Sequence, residues 1–348
     1  MGIVGGLDVH RTQITFDYLD TVSGEVTTGQ IRPATRHSVR QWLQRFQGRS
    51  EVVFALEGCT GWRYLVEELQ RAGIEPRLAE TTDTATLRGR KKRAKTDRTD
   101  ARLLRQLLAE QRLPEAWIPT REILEVRTLT RLYVRLVADR RAWQQRIHAQ
   151  LFHQGAPLIA DLATEQGATA LAQAELSAAG RYAVDTATAT IASLEHAIVP
   201  LRSQLVSSGR SQPSVRALTQ LYGISWLSAT IIWAELGDCQ RFTSADQVVR
   251  FAGLDVTVWS SNTRRAAGRL ARQGSPELRW ALYEAAKCAA RPGSPDYTTY
   301  TQLRARLTAT QTGLTIARKL ARRCYHLLRT VTPPSVTDDT RVGQHLAA

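Results

Sequence analysis

The sequence has few cysteines and no long apolar run. Its 348 residues include four cysteines, which lie far apart without a CxxC pair or a histidine spacing suited to zinc: Cys59, Cys239, Cys288 and Cys324. No apolar stretch reaches the ~18 residues of a membrane-spanning helix, and the segment MGIVGGLDVH lacks the basic and apolar regions of a signal peptide. These absences indicate neither a disulfide framework nor a zinc site, predict no membrane span and no signal peptide, and predict a cytoplasmic protein.

Acidic residues are too few to balance the basic ones. The 47 Lys and Arg against 32 Asp and Glu give a formal net charge of +15 and an isoelectric point near 10.3. Such an excess of cations repels itself unless a polyanion neutralises it, so we expect a nucleic-acid partner rather than a merely solvated surface. Two clusters are candidates for that contact: Arg88, Arg90, Lys91, Lys92, Arg93 and Lys95 in the first, and Arg264, Arg265, Arg269, Arg272 and Arg279 in the second.

Strand and helix signals alternate over residues 1–115 and predict an α/β domain. Three consecutive strands precede the first helix, and the order βββαβαβα is that of the RNase H-like fold. The predicted strands cover residues 3–9, 13–19, 25–31, 52–56 and 75–79, and the predicted helices cover 38–46, 62–71 and a segment that starts near Thr96, a good N-cap.

The rest of the chain predicts helices. Residues 116–210 have few turn signals and predict two long antiparallel helices, with coiled-coil spacing along one of them, that pack internally or form a dimer seam. Residues 211–330 predict a mainly α domain in which Gly223–Ser225 form the turn of a helix-hairpin-helix. The tail over 331–348 is polar, contains paired prolines and is expected to be disordered.

Four acidic residues are candidates for a metal site. Asp8 lies in the first strand and Glu57 at the end of the fourth, and these strands are neighbours in an RNase H-like sheet. Asp97 and Asp100 are three apart, which places them on one face of a helix. Each acid alone has an ordinary explanation in a turn, at a strand end or at a helix N-terminus. Their joint placement favours a site for Mg²⁺ or Mn²⁺ that acts on a phosphodiester.

Three short segments carry a family resemblance. GLDVH, ALEGCTG and KTDRTDA, at these separations, resemble the N-terminal RuvC-like domain of the transposase family founded on insertion sequence one-hundred-and-ten. The resemblance implies that the family's four catalytic and metal-binding carboxylates map onto Asp8, Glu57, Asp97 and Asp100.

A second, independent segment is similar to the C-terminal transposase domain of the same family. It reads RFTSADQVVRFAGLDVTVWSSNTRRAAGRLARQGSPELRWALYEAA, and the family's catalytic serine maps onto its Ser260–Ser261 pair. Asn262 stands where many members have glycine, and Val256 where many have proline. Ser261 is the favoured nucleophile, and Ser260 remains the alternative.

The resemblance implies a reaction and a set of partners. It implies DNA transposition through a covalent phosphoserine link, metal-assisted attack, and two domains, from one subunit or two, that assemble one composite site on DNA. It also implies a guide RNA encoded by the element and a homo-oligomer, either a dimer or a tetramer.

Three rival interpretations stay open at this point. The first is a RuvC-like nuclease that uses metal-activated water and forms no covalent intermediate. The second is a non-catalytic nucleic-acid-binding protein. The third is an actin-like ATPase, which the sequence disfavours because no second Gly-rich phosphate loop follows a strand at the expected place.

Overall fold

The computed structural model describes residues 2–87, 96–257, 260–261, 264–265, 269–271 and 273–331. The chain divides into two compact units, Met1–Ile118 and Pro119–Ala348. The first basic cluster, Arg272 and the predicted disordered tail beyond residue 331 lie outside the described residues. None of the described helices has the length and hydropathy needed to cross a bilayer.

The first unit is built on a six-stranded sheet with the order β3-β2-β1-β4-β5-β6. The first three strands form an antiparallel meander, β4 and β5 run parallel to β1, and β6 closes the edge in the antiparallel sense. This confirms the predicted α/β unit. The strands are β1 (Ile3–Val9), β2 (Ile14–Asp20), β3 (Val26–Ile31), β4 (Val52–Glu57), β5 (Glu75–Ala79) and β6 (Glu115–Ala116).

Four helices accompany the sheet in the described part of this unit. Two of them follow the predicted bounds closely, and a 3-10 turn over Gln44–Phe46 extends the first. The helix at Thr96 begins as predicted, whereas the short helix before it was not predicted. The helices are α1 (Arg36–Leu43), α2 (Trp62–Arg71), α3 (Thr81–Leu87) and α4 (Asp97–Ala109).

The two faces of the sheet have different neighbours. Since successive side chains of a strand point to opposite faces, Phe16 and Phe54 lie in the aromatic core that α1 and α2 cover, together with Trp42. On the opposite face Ala55 and Leu104 belong to a second, smaller core that α4 covers.

Gly6 allows α4 to approach the sheet closely. A Cβ at this position of β1 would lie 2.1 Å from the Ala101 carbonyl oxygen and 2.7 Å from the Arg105 backbone nitrogen. Both atoms are helix backbone, so no side-chain rotation would relieve the overlap. The hydrogen atom of glycine therefore sets how near α4 lies to the first strand.

The second unit is mostly helical, as predicted. Its two long helices are α5 (Arg121–His153) and α7 (Ala178–Arg210), with α6 (Glu165–Gln173) inside the alanine-rich connection. They pack antiparallel. Gln212 contacts Glu122 at one end of the pair, Gln154 contacts Ser177 at the N-cap of α7 at the other end, and Arg140 pairs with Glu195 in between.

Among the described residues, the remainder of this unit contains several shorter helices, one 23-residue helix and four two-residue strands. Gly223, with φ of +88°, lies in the turn between the helices Pro213–Leu218 and Trp226–Leu236. Use of this turn as a nucleic-acid-binding helix-hairpin-helix stays a prediction. The elements are α8 (Pro213–Leu218), α9 (Trp226–Leu236), α10 (Ala245–Phe251), β7 (Val256–Thr257), β8 (Ser260–Ser261), β9 (Arg264–Arg265), β10 (Arg269–Leu270), α11 (Pro276–Ala286), α12 (Tyr297–Arg304) and α13 (Ala309–Val331).

A buried carboxylate links three of these helices. Glu235 of α9 is 1% exposed and accepts two hydrogen bonds from Arg131 of α5, at 2.9 and 3.1 Å. It also accepts one from the hydroxyl of Ser275, the N-cap of α11, at 3.0 Å. A buried charge is tolerated only when it is paired in this way, so we read Glu235 as structural.

Candidate active site

Asp8 and Glu57 come from neighbouring strands at the same edge of the sheet. β1 and β4 are parallel, and Leu7 is in register with Leu56, so Asp8 and Glu57 occupy the next position of each strand. Glu57 lies two residues beyond Ala55, which faces α4. Period-two alternation therefore places both carboxylates on the α4 face.

The N-terminus of α4 supplies the other two acids. Thr96 caps the helix: its hydroxyl accepts from the Thr99 backbone N–H at 3.3 Å, and the Thr99 hydroxyl accepts from the Thr96 N–H at 3.1 Å. This reciprocal cap fixes the start of the helix. Asp97 and Asp100 lie in its first turn, where the helix dipole stabilises negative charge.

The electrostatics around Asp8 show that these acids lie near one another. Burial raises the pKa of the Asp8 carboxyl, and the charges of Asp100 and Asp97 raise it further, whereas His10 opposes the shift. Burial also raises the pKa of the Cys59 thiol, with added contributions from Glu57 and Asp8. Asp97 and Asp100 thus lie near enough to Asp8 to repel its charge, and Glu57 and Asp8 both lie near the Cys59 thiol.

His10 and Gln13 also belong to this site, although neither was predicted from the sequence. His10 Nε2 lies 3.0 Å from Asp8 Oδ2 and 3.4 Å from Asp97 Oδ1. Gln13 donates to Asp97 Oδ2 at 2.8 Å and in turn accepts from Arg32. The position of His10, two residues after Asp8, could have indicated it from the sequence. No sequence signal marks Gln13.

An acid of β2 attaches α4 to the sheet. Asp17 is 1% exposed and pairs with Arg105 of α4, while Arg102 Nε lies 3.6 Å from its other oxygen. Asp17 is in register with Gly6, the residue of β1 against which α4 packs closely. We assign it a positioning role, because both of its partners are cations of α4.

The donor set fits a hard divalent cation. Oxygen or nitrogen atoms of Asp8, His10 and Asp97 all lie within 4.8 Å of one another. Thr15, in register with Asp8, is fully buried and its hydroxyl has no hydrogen-bond partner among the described residues. Carboxylate-rich clusters of this kind are suited to Mg²⁺ or Mn²⁺ and are typical of enzymes that act on phosphodiesters.

The predicted serines lie in the second unit. Ser260 and Ser261 form β8, which pairs antiparallel with β9, so that Ser261 is in register with Arg264 and Ser260 with Arg265. This differs from the turn that a Ser-Ser-Asn triplet usually indicates. Arg269 begins β10, which pairs with β7.

Of the second basic cluster, Arg279 has a visible structural contact. It lies in α11 and donates to the Ala252 carbonyl at 3.0 Å. This bond connects α11 to the loop that follows α10, so part of its donor capacity is used within the protein. Its contact with nucleic acid stays a prediction, as for Arg264, Arg265 and Arg269.

Comparison with known proteins agrees with this geometry. A family profile for DEDD-type transposases of IS110, described as a transposase, matches residues 5–154. A second profile, described as the transposase IS116/IS110/IS902 family, matches residues 215–302. The protein y4rJ of Sinorhizobium fredii (strain NBRC 101917 / NGR234), whose name describes it as a transposase, is 29% identical over 241 residues, which cover 63% of this chain and 60% of that protein.

The chain belongs to the IS110 family of transposases, where IS110 denotes insertion sequence one-hundred-and-ten. The two profiles cover the strand-borne and helix-borne acids of the first unit and the serine segment of the second. The chain spans about three fifths of the length of the Sinorhizobium relative.

Proposed function

We propose that this protein is a DNA transposase that moves an insertion sequence by breaking and rejoining DNA phosphodiesters. The observation that supports this function is the convergence of two strand-borne acids, Asp8 and Glu57, with two helix-borne acids, Asp97 and Asp100. Together with the match to DEDD-type transposases, it favours a RuvC-like catalytic unit over a binding-only protein, which has no use for four mutually repelling carboxylates.

These four carboxylates would hold Mg²⁺ or Mn²⁺. When bound, the cation would polarise a phosphate oxygen and neutralise negative charge on the oxygens of the reacting phosphate. The protein's own contribution is to orient the acids: Thr96 fixes the start of α4, Asp17 attaches α4 to β2, and Gln13 holds one oxygen of Asp97.

Ser261 is the proposed nucleophile, with Ser260 as the alternative. Its Oγ would form a bond to phosphorus while the bond from phosphorus to one DNA oxygen breaks; the serine proton is released, and the departing oxygen takes up a proton. The resulting protein–DNA ester keeps the energy of the phosphodiester for rejoining. Arg264, Arg265 and Arg269 are suited to binding phosphate oxygens as bidentate donors.

We further propose a guide RNA and a homo-oligomer as partners, on the basis of family membership. The net charge of +15 is consistent with more than one nucleic-acid partner. Contact with phosphates by the helix-hairpin-helix around Gly223 belongs to the same proposal.

Trapping of the covalent ester tests this function. The full chain is incubated with Mg²⁺, end-labelled DNA spanning the ends of its element, and RNA transcribed from the element's non-coding flanks, and the products are separated on denaturing gels. We expect a protease-sensitive adduct from the wild type and none from Ser261→Ala, although that variant still binds DNA. An adduct from Ser261→Ala but not from Ser260→Ala identifies the neighbour as the nucleophile.

The second candidate is a metal-dependent DNA nuclease without a covalent intermediate. It is favoured by one observation: the carboxylate cluster is complete within the first unit and needs no serine for metal-activated hydrolysis. Unaltered DNA cleavage by both serine variants, with free ends and no adduct at any time, would establish this alternative.

A further inference from the structure

The imidazole of His10 lies between the carboxylates of Asp8 and Asp97, where it could share a cation with them. His10 follows Val9, the last residue of β1, and is 52% exposed. Its Nε2 atom faces Asp8, which belongs to the preceding strand β1, and Asp97 of α4, which is far away in sequence. One imidazole nitrogen therefore links the strand-borne and the helix-borne halves of the acid cluster.

The separations of these atoms match those of ligands around one metal ion. Ligands at about 2.1 Å from an octahedral cation are about 3.0 Å apart along an edge. Nε2 of His10 is 3.0 Å from Asp8 Oδ2 and 3.4 Å from Asp97 Oδ1. Only small side-chain adjustments are needed to turn these contacts into adjacent ligand positions.

The surroundings hold Asp97 in the required orientation. Gln13 donates to Asp97 Oδ2 at 2.8 Å, so Oδ1 is the oxygen that faces His10. Gln13 itself accepts from Arg32. This chain of contacts restricts rotation of the Asp97 carboxylate, and restricted ligands are expected to bind a metal more tightly.

We propose that His10 is a ligand, through Nε2, of the divalent cation held by Asp8 and Asp97, and that it makes the site selective for Mn²⁺ over Mg²⁺. The inference rests on the proposed function in one respect, namely that the acid cluster binds a divalent cation. Imidazole nitrogen is a ligand of transition metals, whereas Mg²⁺ prefers oxygen ligands. A site of carboxylates alone would lack this preference.

Pulsed electron paramagnetic resonance of Mn²⁺ bound to the full chain tests the proposal directly. A coordinated imidazole nitrogen produces a ¹⁴N modulation that a carboxylate does not. We expect this modulation in the wild type, its loss in His10→Gln, and its retention in His37→Gln, the matched control, since His37 is an exposed histidine of α1. Circular dichroism and melting curves verify that each variant is folded.

Calorimetric titration provides the second measurement. In His10→Gln we expect Mn²⁺ affinity to fall by about tenfold or more, because removal of a metal ligand should cost at least as much as removal of a residue that only hydrogen-bonds to a ligand. Mg²⁺ affinity should change by less than about threefold. Mn²⁺ bound without nitrogen coupling in the wild type, or equal affinity in His10→Gln and His37→Gln, would overturn the role of His10.

Asp8→Asn separates failure of this inference from failure of the proposed function. If Mn²⁺ binding depends on Asp8 but not on His10, the carboxylate site stands and only the nitrogen ligand is wrong. If the wild type binds no Mn²⁺, or if Asp8→Asn binds it as the wild type does, both the acid site and the role of His10 are wrong.

Discussion

At the scale of single residues, the surroundings of Asp8 disfavour the ionised form of its carboxyl. Burial is the main cause of its raised pKa, and Asp100 and Asp97 repel it further. In the metal-free protein, the folded state therefore binds the Asp8 proton more tightly than the unfolded state does. Ionisation of Asp8 above its folded pKa lowers the free energy of unfolding, and the effect vanishes below the ordinary value of 3.8, where both states are protonated.

The first prediction follows from this sign. Without divalent metal, Asp8→Asn should melt at a higher temperature than the wild type at neutral pH, by at least about 2 °C, and the difference should shrink as the pH falls towards 3.8. Saturating Mn²⁺ should reverse the order, because binding to the native state stabilises only a protein with the intact site. Recombination should be abolished.

Asp20→Asn is the control with the opposite sign. Hydrogen bonds from Arg49 and the Val22 backbone lower the pKa of Asp20, so its ionised form contributes stability above the unfolded pKa and loses it as the pH falls through the folded pKa. This variant should melt below the wild type at neutral pH. A lower melting temperature for metal-free Asp8→Asn would contradict our account of the acid cluster.

At the scale of elements, the distance between α4 and β1 decides whether the acids meet. Gly6 permits the approach, and Asp17 with Arg105 maintains it. Asp97 and Asp100 lie in the first turn of the helix that this contact positions. The geometry of the site is therefore set by packing several residues away from its ligands.

Gly6→Ala tests this dependence. Because its Cβ would lie 2.1 Å from the Ala101 carbonyl oxygen, α4 must move, at a cost of about 1–3 kcal/mol in stability. We expect Mn²⁺ affinity of the folded variant, measured by calorimetry below its melting temperature, to fall by about tenfold or more, since displaced ligands no longer share a cation.

Gly5→Ala is the matched control for crowding without displacement of α4. Its Cβ would lie 2.1 Å from a ring carbon of Phe54, on the face opposite α4. It should lose stability yet retain Mn²⁺ affinity within about threefold, because the overlap is relieved within the aromatic core. Equal loss of affinity in both variants would mean that general destabilisation, rather than the position of α4, governs the site.

The same elements show what the sequence could and could not predict. The strands with apolar patterns and the helix with an N-cap at Thr96 were predictable, because their sequence signals lie within the elements themselves. The two-residue β6 was not, since only its pairing with β5 defines it. The burial of Asp17 was equally hidden, because its partner Arg105 lies 88 residues away. The proximity of His10 to Asp97 could not be predicted from the sequence, because it depends on the position of α4 over β1.

At the scale of the whole molecule, the net charge of +15 should control how binding depends on salt. Each neutralised phosphate releases counterions, so affinity falls with salt concentration in proportion to the number of phosphate contacts. Several arginines have carboxylate partners within the protein and contribute less to this excess. Examples are Arg112 with Glu110 at 2.9 Å, Arg135 with Asp139 at 3.5 Å and Arg322 with Asp246 at 2.9 Å.

The last prediction compares the first basic cluster with these paired arginines. Changing Arg90, Lys91 and Lys92 to glutamine should reduce the slope of log affinity against log salt by up to about 2.7 on duplex DNA, equally for all sequences, because flexible cations contact backbone phosphates rather than base edges. Fluorescence anisotropy over a salt series measures both slopes and affinities.

The triple glutamine variant of Arg112, Arg135 and Arg322 is the matched control. It removes the same formal charge from exposed ion pairs that add little stability, and it should leave the slope nearly unchanged. An equal decrease in both triple variants would mean that net charge alone drives binding, whereas a loss confined to one DNA sequence would assign the cluster to base recognition.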